Sequence, residues 1–519
     1  MAATDAVAVP ATERDEPAIY VKHKGLLTFA IMCATLIQVL DTTIANVALP
    51  HMQATLGASP ESITWVLTSY IVAAGMATPL TGWLADRYGA RNLLLLSVAA
   101  FVVASMLCGM ATNLSQIVIF RVIQGISGAF LNPLGQAMLF DINPRSQQAR
   151  AMTIYGTGTM VGPIIGPVLG GLLTDHFNWR WVFFVNVPVG LLCLALLWVL
   201  MPRKPLIERR FDLRGFAYLT IAVASLQMML DRGQHLDWFS SPEILIECGI
   251  AVSFFWIFVI HLMSAKNPLY SHRLLCDRNL MVGMLFMAVI NMVVMSGMAL
   301  LPTFLQAMYG YSVVDTGLLL STRGVGLMFA MWMMSRLMPI MDVRILIFIG
   351  FLLTGFSAWQ MTGWSLDMDW RPIVSSSFLQ GVGSGMIFLP LSLIAFTTLP
   401  SSLRTDASAM TNLARSVASS IAVAMASTLL VRNVQTSHAD IGASVTSQSL
   451  PMDLNLTRAM GDFGTTIMSM LDGEINRQAL MIAYLDDFQL LMIGSLIATP
   501  LILLLRPARP GAKAMHMGE

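Results

Sequence analysis

The chain has 519 residues, 56% of them hydrophobic and only 11% charged, with a mean hydropathy of +0.70. Soluble domains carry about 25% charged residues, so too little polar surface is left to cover a water-exposed globule of this size. The net charge of +1 argues against nucleic acid as a partner, because phosphate binding needs a basic patch.

Residues 1–24 read as a polar tail of mixed charge (Thr12, Glu13, Arg14, Asp15, Glu16). The apolar run that follows is too long for the core of a cleaved signal. A membrane span needs about 20 mostly apolar residues. Runs between polar punctuation predict helices near 26–49, 62–84, 92–111, 115–139, 151–174 and 181–201, then two near 213–231 and 243–265. Six more follow near 279–306, 313–336, 343–362, 371–397, 406–431 and 484–505. Placing the first tail in the cytoplasm puts 21 of the 30 Lys and Arg on that side, six opposite, and Arg121, Arg323 and Arg415 inside helices. That asymmetry follows the positive-inside rule and predicts both termini in the cytoplasm. Cys33, Cys108, Cys193, Cys248 and Cys276 form no CxxC pair. They read as small core residues, with no disulfide or metal site expected.

The count gives an all-α polytopic membrane protein. A six-helix bundle (25–201) precedes two inserted helices with basic links (202–278). A second six-helix bundle (279–505) follows, with an extracytoplasmic loop at 432–483, and then a tail at 506–519. Two pseudo-symmetric bundles suit transporters built on repeats.

Asp41, within Gln38-Val39-Leu40-Asp41-Thr42-Thr43-Ile44-Ala45-Asn46, is the sharpest single residue. A carboxylate at mid-helix costs about 2.5–3.5 kcal/mol on insertion scales. Burial penalises the charged form, so a carboxyl that alternates between dry and wet surroundings can bind a proton on one side and release it on the other. The alternative is a structural aspartate paired with a neighbouring helix. Arg121, in Phe120-Arg121-Val122-Ile123-Gln124-Gly125, stays charged and must find a partner or water. It could favour the ionised form of an acid in one conformation only, or be a fixed tie between helices. Arg323 and Arg415 raise the same question. Glu247 is an orphan acid on an inserted helix, and Asp486–Asp487 are further acids in the last one.

In Tyr155 to Gly171, Gly162, Gly166 and Gly170 recur every four residues and share a helix face that lets another backbone approach. Pro163 and Pro167 remove donors and bend the helix, and Gly171 closes the run. Gly82-Trp83-Leu84-Ala85-Asp86-Arg87-Tyr88-Gly89-Ala90-Arg91 is a turn between the second and third helices. Gly82 and Gly89 permit tight turns, and Asp86 suits a helix N-terminus. Arg87 and Arg91 could latch onto acids of a neighbouring helix, or act only as a topology anchor. The 39 methionines suit either an adaptable cavity or lipid-facing filler. The sequence holds no phosphate loop, metal-ligand cluster or nucleophile elbow, which argues against ATP-driven transport and the common hydrolases.

As a set these motifs resemble the major facilitator superfamily, specifically its fourteen-helix EmrB/QacA-type drug:proton antiporters. Gly82 to Arg91 is similar to the superfamily's loop 2–3 motif. Arg121, Gln124 and Gly125 are similar to its helix-4 motif, and Gly166 to Gly171 to the end of its helix-5 antiporter motif. Leu40 to Pro50 looks like the helix-1 motif of the fourteen-helix branch. Leu226 to Ser241 and Phe183 to Pro188 look like the Gram-negative EmrB subgroup. The resemblance spans about residues 30–500 and implies two six-helix bundles plus the inserted pair. It further implies export of lipophilic compounds across the bacterial inner membrane, driven by protons and without a cofactor. A periplasmic membrane-fusion adaptor and an outer-membrane channel would be partners. Asp41 would couple protons to substrate, Arg121 would be its proton-transfer partner, Gly82 to Arg91 a cytoplasmic gate, and 162–171 a hinge. Gln38, Asp41, Asn46, Gln124, Arg323 and Arg415 would line the cavity. Arg323 departs from the apolar or proline residue expected there. Three intramembrane arginines against one clear aspartate point toward weakly acidic substrates. The competing readings are a dedicated transporter of one metabolite or fatty acid, and a membrane-embedded lipid enzyme. The second would need His, Asp or Glu clustered at one interface, and the eight histidines are scattered.

Overall fold

The computed structural model describes residues 17–502 apart from 160, 204–205, 207–209, 235, 339, 446–461 and 501. Most of the first tail, the last tail 506–519, Lys204, Pro205, Glu208 and Arg209 of the basic link, Met160 and Arg458 lie outside the described residues.

Among the described residues, fourteen helical crossings follow one another, labelled here α1 to α14. α1 is Lys24–Leu56. α2 is built from Pro60–Ile63, Trp65–Ala77, the 3-10 turn Thr78–Leu80 and Thr81–Tyr88. α3 is Ala90–Met110. α4 joins Leu114–Gly128 to Leu131–Ile142, α5 holds Arg145–Thr159 and Val161–His176, and α6 joins Trp181–Phe184 to Asn186–Leu200. α7 is Leu213–Arg232 and α8 is Pro242–Ser264. After the short helix His272–Cys276 come α9 (Arg278–Tyr309), α10 (Val313–Leu337), α11 (Val343–Thr362), α12 (Trp370–Thr397), α13 (Arg404–Ser444) and α14 (Asp462–Ala498).

Among the described residues, thirteen stretches are long and apolar enough to cross a membrane, and one of them, Trp65–Met110, is 46 residues long. At 1.5 Å per residue such a stretch would reach about 69 Å, more than twice a bilayer core of about 30 Å. It is two crossings, because the chain reverses at Gly89, whose φ of 87° favours a residue without a Cβ. Pro79 lies inside the 3-10 turn of α2, where its missing donor is tolerated.

Three elements differ from their sequence reading. Thr81–Tyr88 is helix, so Gly82 and Asp86 lie inside the end of α2 and the turn is confined to Gly89. α1 runs past Pro50 to Leu56 and stops at Gly57, which is left-handed. Most of the expected loop 432–483 is helix, because α13 continues to Ser444 and α14 begins at Asp462. Neither stretch contains proline, so the backbone has no reason to stop where its side chains turn polar. The last crossing therefore begins well before residue 484.

Helices α1–α6 and α9–α14 form the two bundles, and α7 bridges them. A Cβ on Gly75 of α2 would lie 3.3 Å from Val223 of α7. On the other side, Ser420 of α13 donates to Gln227 at 2.7 Å, and Trp238, after α7, donates to Thr428 at 2.9 Å. Glu247 of α8, an orphan in sequence, accepts from Arg232 of α7 at 3.3 Å beside Glu243 at 2.6 Å. This partly exposed cluster ties the inserted pair together, and pairs of that kind contribute about 0–1 kcal/mol.

Candidate functional site

Asp41 lies midway along α1 with no solvent exposure. Its Oδ1 accepts from Gln124 Nε2 at 2.7 Å and from Asn186 Nδ2 at 2.9 Å. Its Oδ2 accepts from Arg121 Nη1. Arg121 is also fully buried and donates through Nε to the Val66 carbonyl at 2.9 Å. Its Nη1 reaches Gln124 Oε1 at 3.0 Å, and its guanidinium lies 4.3 Å from the centre of the Tyr70 ring. Asn186 also donates to Ser105, which donates to the Phe183 carbonyl at 2.9 Å. Five helices, α1, α2, α3, α4 and α6, thus converge on one charge pair.

Glycines let the backbones come that close. A Cβ on Gly125 of α4 would overlap the Tyr70 carbonyl and lie 3.1 Å from Ala73. α4 therefore rests on the α2 backbone, one turn from where Arg121 meets Val66. On α5, a Cβ at Gly162 would meet Val39 at 2.9 Å, at Gly166 it would overlap Thr43, and at Gly170 it would meet Ile44 at 3.3 Å. The whole glycine face is pressed against the part of α1 that carries Asp41. Pro163 falls in the first turn of Val161–His176 and Pro167 inside it, with Gly171 buried beyond.

Among the described residues, every partner of the Asp41 carboxylate is a donor, which suits the ionised form, an acceptor only. A proton on either oxygen would need an acceptor and would displace Arg121 or an amide.

A cavity of about 200 Å³ lies between the bundles, lined by Gln38, Thr78 and Asn132 from the first half and Asn291, Asn412 and Arg415 from the second. Arg415 donates to Asn412, and Asn291 donates to the Arg415 carbonyl at 3.0 Å. No carboxylate among the described residues pairs with Arg415. The structure brings Gln38 and Arg415 to this cavity. Gln124 instead belongs to the Asp41 network. Asn46 is exposed and outside the cavity lining, and Arg323, half-buried on α10, is outside it too. No methionine lines this cavity.

The loop 2–3 residues lie where the halves meet on the basic face. A Cβ on Gly82 would overlap the Asp406 side chain of α13. Arg91 turns to the Trp198 carbonyl and ring within its own bundle rather than to an acid, Arg87 is exposed, and Asp86 is half-buried. The charged tie across the bundles comes from residues the sequence did not single out. Arg404 reaches Asp141 at 3.1 Å and the Phe140 carbonyl at 3.3 Å, with Asp141 1% exposed. Phe140 stacks on Phe396 at 4.8 Å, and Ser408 donates to Gln136 at 3.0 Å. Asn186 was missed too, although a lone amide in an otherwise apolar run was a usable signal. Asp141 and Arg404 sit at helix ends, where charge is unremarkable.

The Major Facilitator Superfamily profile matches residues 31–423. The chain belongs to the major facilitator superfamily. It is 36% identical over 423 residues to "Multidrug export protein EmrB" of Escherichia coli (strain K12), covering 81% of this chain and 83% of that one. It is 32% identical over 487 residues to "Probable multidrug resistance protein EmrY" of the same organism, covering 93% and 95%. "Fatty acid resistance protein FarB" of Neisseria gonorrhoeae is likewise 32% identical, over 93% of this chain and 96% of its own. Among solved structures, the human organic anion transporter MFSD10 superposes with a TM-score of 0.56 at 13% identity, over 91% of this chain and 99% of that one. A XylE double mutant gives 0.59 at 13% identity, over 94% and 97%. These two likenesses concern the fold alone. The protein is a multi-pass bacterial membrane protein of the superfamily's EmrB type.

Proposed function

We propose that this protein is a proton-coupled antiporter exporting lipophilic compounds across the bacterial inner membrane, with both termini in the cytoplasm. The observation that carries the reading is the Asp41–Arg121 pair, buried where five helices meet. In the dry arrangement Asp41 is ionised and locked to Arg121, Gln124 and Asn186. Water entering from the periplasm brings a proton. Neutral Asp41 no longer holds Arg121, and α1 is free to shift on the glycine face of α5. Opening toward the cytoplasm lets the proton leave and re-forms the pair. Substrate held in the cavity beside Gln38, one turn from Asp41, moves the opposite way. The names of the EmrB, EmrY and FarB relatives support export of toxic lipophiles, and the EmrB resemblance supports an adaptor and an outer-membrane channel as partners.

The test is accumulation of a lipophilic dye in proteoliposomes under an imposed pH gradient. Accumulation is expected to follow the gradient and collapse when an ionophore dissipates it. Equal accumulation without a gradient contradicts proton coupling.

The basic face is the cytoplasmic gate, held by Asp141–Arg404 and Phe140–Phe396. Asp141→Asn is expected to weaken this closure. A cysteine placed at Asn412, in a chain lacking its native cysteines, should then react several-fold faster with a membrane-impermeant thiol reagent from the cytoplasmic side. An unchanged labelling rate removes the pair from the gate.

A further inference from the structure

The second bundle contains a charge with no counter-charge among the described residues. Arg323 lies on α10, on the same face as buried Thr316, Leu327, Ala330 and Met334 and opposite exposed Val325 and Trp332. At 3.6 residues per turn it sits at the centre of the inward face. Its Nε and Nη2 are buried without a hydrogen-bond partner, and no carboxylate among the described residues pairs with it. Gln380 of α12 has no solvent exposure, and neither its Nε2 nor its Oε1 has a partner. Ser377, three residues earlier and equally buried, has an unpartnered Oγ.

Arg323 and Gln380 converge over Gly297 of α9. A Cβ there would lie 3.2 Å from Arg323 Nη2 and 3.4 Å from Gln380 Nε2, so glycine keeps open the space above them. The walls are fixed, because a Cβ on Gly381 of α12 would overlap the Arg323 carbonyl and one on Gly326 would overlap that of Phe378. An arginine stays charged, and leaving its Nε and Nη2 buried and unpaired within a membrane is expensive. The Nε–Nη2 edge is the side of the guanidinium that takes a carboxylate with two parallel hydrogen bonds.

We propose that Arg323 and Gln380 form an anion subsite that takes the carboxylate headgroup of an amphiphilic weak acid. Arg323 supplies the two-pronged contact and Gln380 Nε2 a third donor. The proposal rests on the export reading above and names its substrate class. The Arg323 subsite is separate from the cavity at Arg415 and from the Asp41 network, so charge preference and proton coupling reside in different halves.

The test compares full-length wild type, Arg323→Leu and Arg323→Lys in phosphatidylcholine nanodiscs, measuring binding of dodecanoate and of dodecyltrimethylammonium by calorimetry. Losing a charged hydrogen-bond donor at a buried site is expected to weaken dodecanoate by about tenfold or more in Arg323→Leu. Arg323→Lys should be intermediate, because it keeps the charge and loses the fork. The cation should bind all three within about twofold of each other. Equal dodecanoate binding by all three proteins overturns the proposal, as does an equal loss of both amphiphiles in both variants. Dodecanoate binding that vanishes in phosphatidylglycerol discs would mark a lipid-headgroup site and overturn it as well. Binding that follows charge, with neither amphiphile moved across proteoliposomes, upholds the subsite and sinks the export reading instead.

Discussion

Arg121→Leu is expected to abolish proton-coupled export and to destabilise the protein by about 3–5 kcal/mol, the loss typical when one partner of a buried ion pair is removed. The substitution strips Asp41 of its counter-charge and the Val66 carbonyl of a donor at 2.9 Å. It also removes the cation from the face of Tyr70. Gln124 and Asn186 still reach Asp41, but two neutral amides do not replace a charge. Adding Asp41→Asn should recover much of the stability, since no ion is then left unpaired, without recovering transport. Arg121→Lys should stay largely inactive, because a single ammonium cannot reach Asp41 and Val66 with the same planar fork. Thermal unfolding in detergent and dye transport in proteoliposomes read the two effects separately. A leucine variant as stable as wild type would mean the pair contributes nothing to this conformation.

The second large effect is expected at Gly166. A Cβ there overlaps Thr43 Oγ1 and lies 2.8 Å from Thr43 Cβ, so even alanine forces α5 off α1. Overpacking of this kind costs about 1–3 kcal/mol. The helix that α5 is pushed away from carries Asp41, so transport should fall more than stability does, by tenfold or more for Gly166→Val. Gly166→Ala should be milder. Thr43→Ala should rescue Gly166→Ala only in part, because it removes the hydroxyl and leaves the Cβ in place. Gly249, with nothing within 4 Å of its would-be Cβ, is the control, and Gly249→Ala should leave transport unchanged. Equal effects at Gly166 and Gly249 would remove the α1–α5 contact from the mechanism.

The sequence made the fourteen crossings legible because apolar runs and charged punctuation are both set by the bilayer. Asp41, Arg121 and Gln124 were legible for the same reason, since polar groups in such runs need partners. Their pairing came only through the family resemblance, because composition and spacing do not say which helix faces which. Gly125 and Gly166 carry that information only once the packing partner is known. Two misreadings have one physical cause. The segment 432–483 reads as an extracytoplasmic loop, polar at first and then only partly helical in pattern, and the first helix reads as ending before Pro50. Hydropathy reports where the membrane ends, whereas a helix ends where its hydrogen bonds do, as at Gly57. The Asp141–Arg404 tie was hidden because helix-end charges are expected on the basic face in any case. Arg323 stood out in sequence as a departure, but its lack of a partner emerged only from the packing of α9, α10 and α12.

The most direct test of the central claim is substrate-induced proton release from purified protein in lightly buffered detergent, comparing wild type with Asp41→Asn. Wild type is expected to release protons when a lipophilic substrate is added. The variant, folded and still binding substrate, is expected to release none. Equal release from both would show that Asp41 is a structural anchor for Arg121 and that the proton is carried elsewhere. The buried Asp487 of α14, 3% exposed with an unpartnered Oδ2, would then be the next acid to replace.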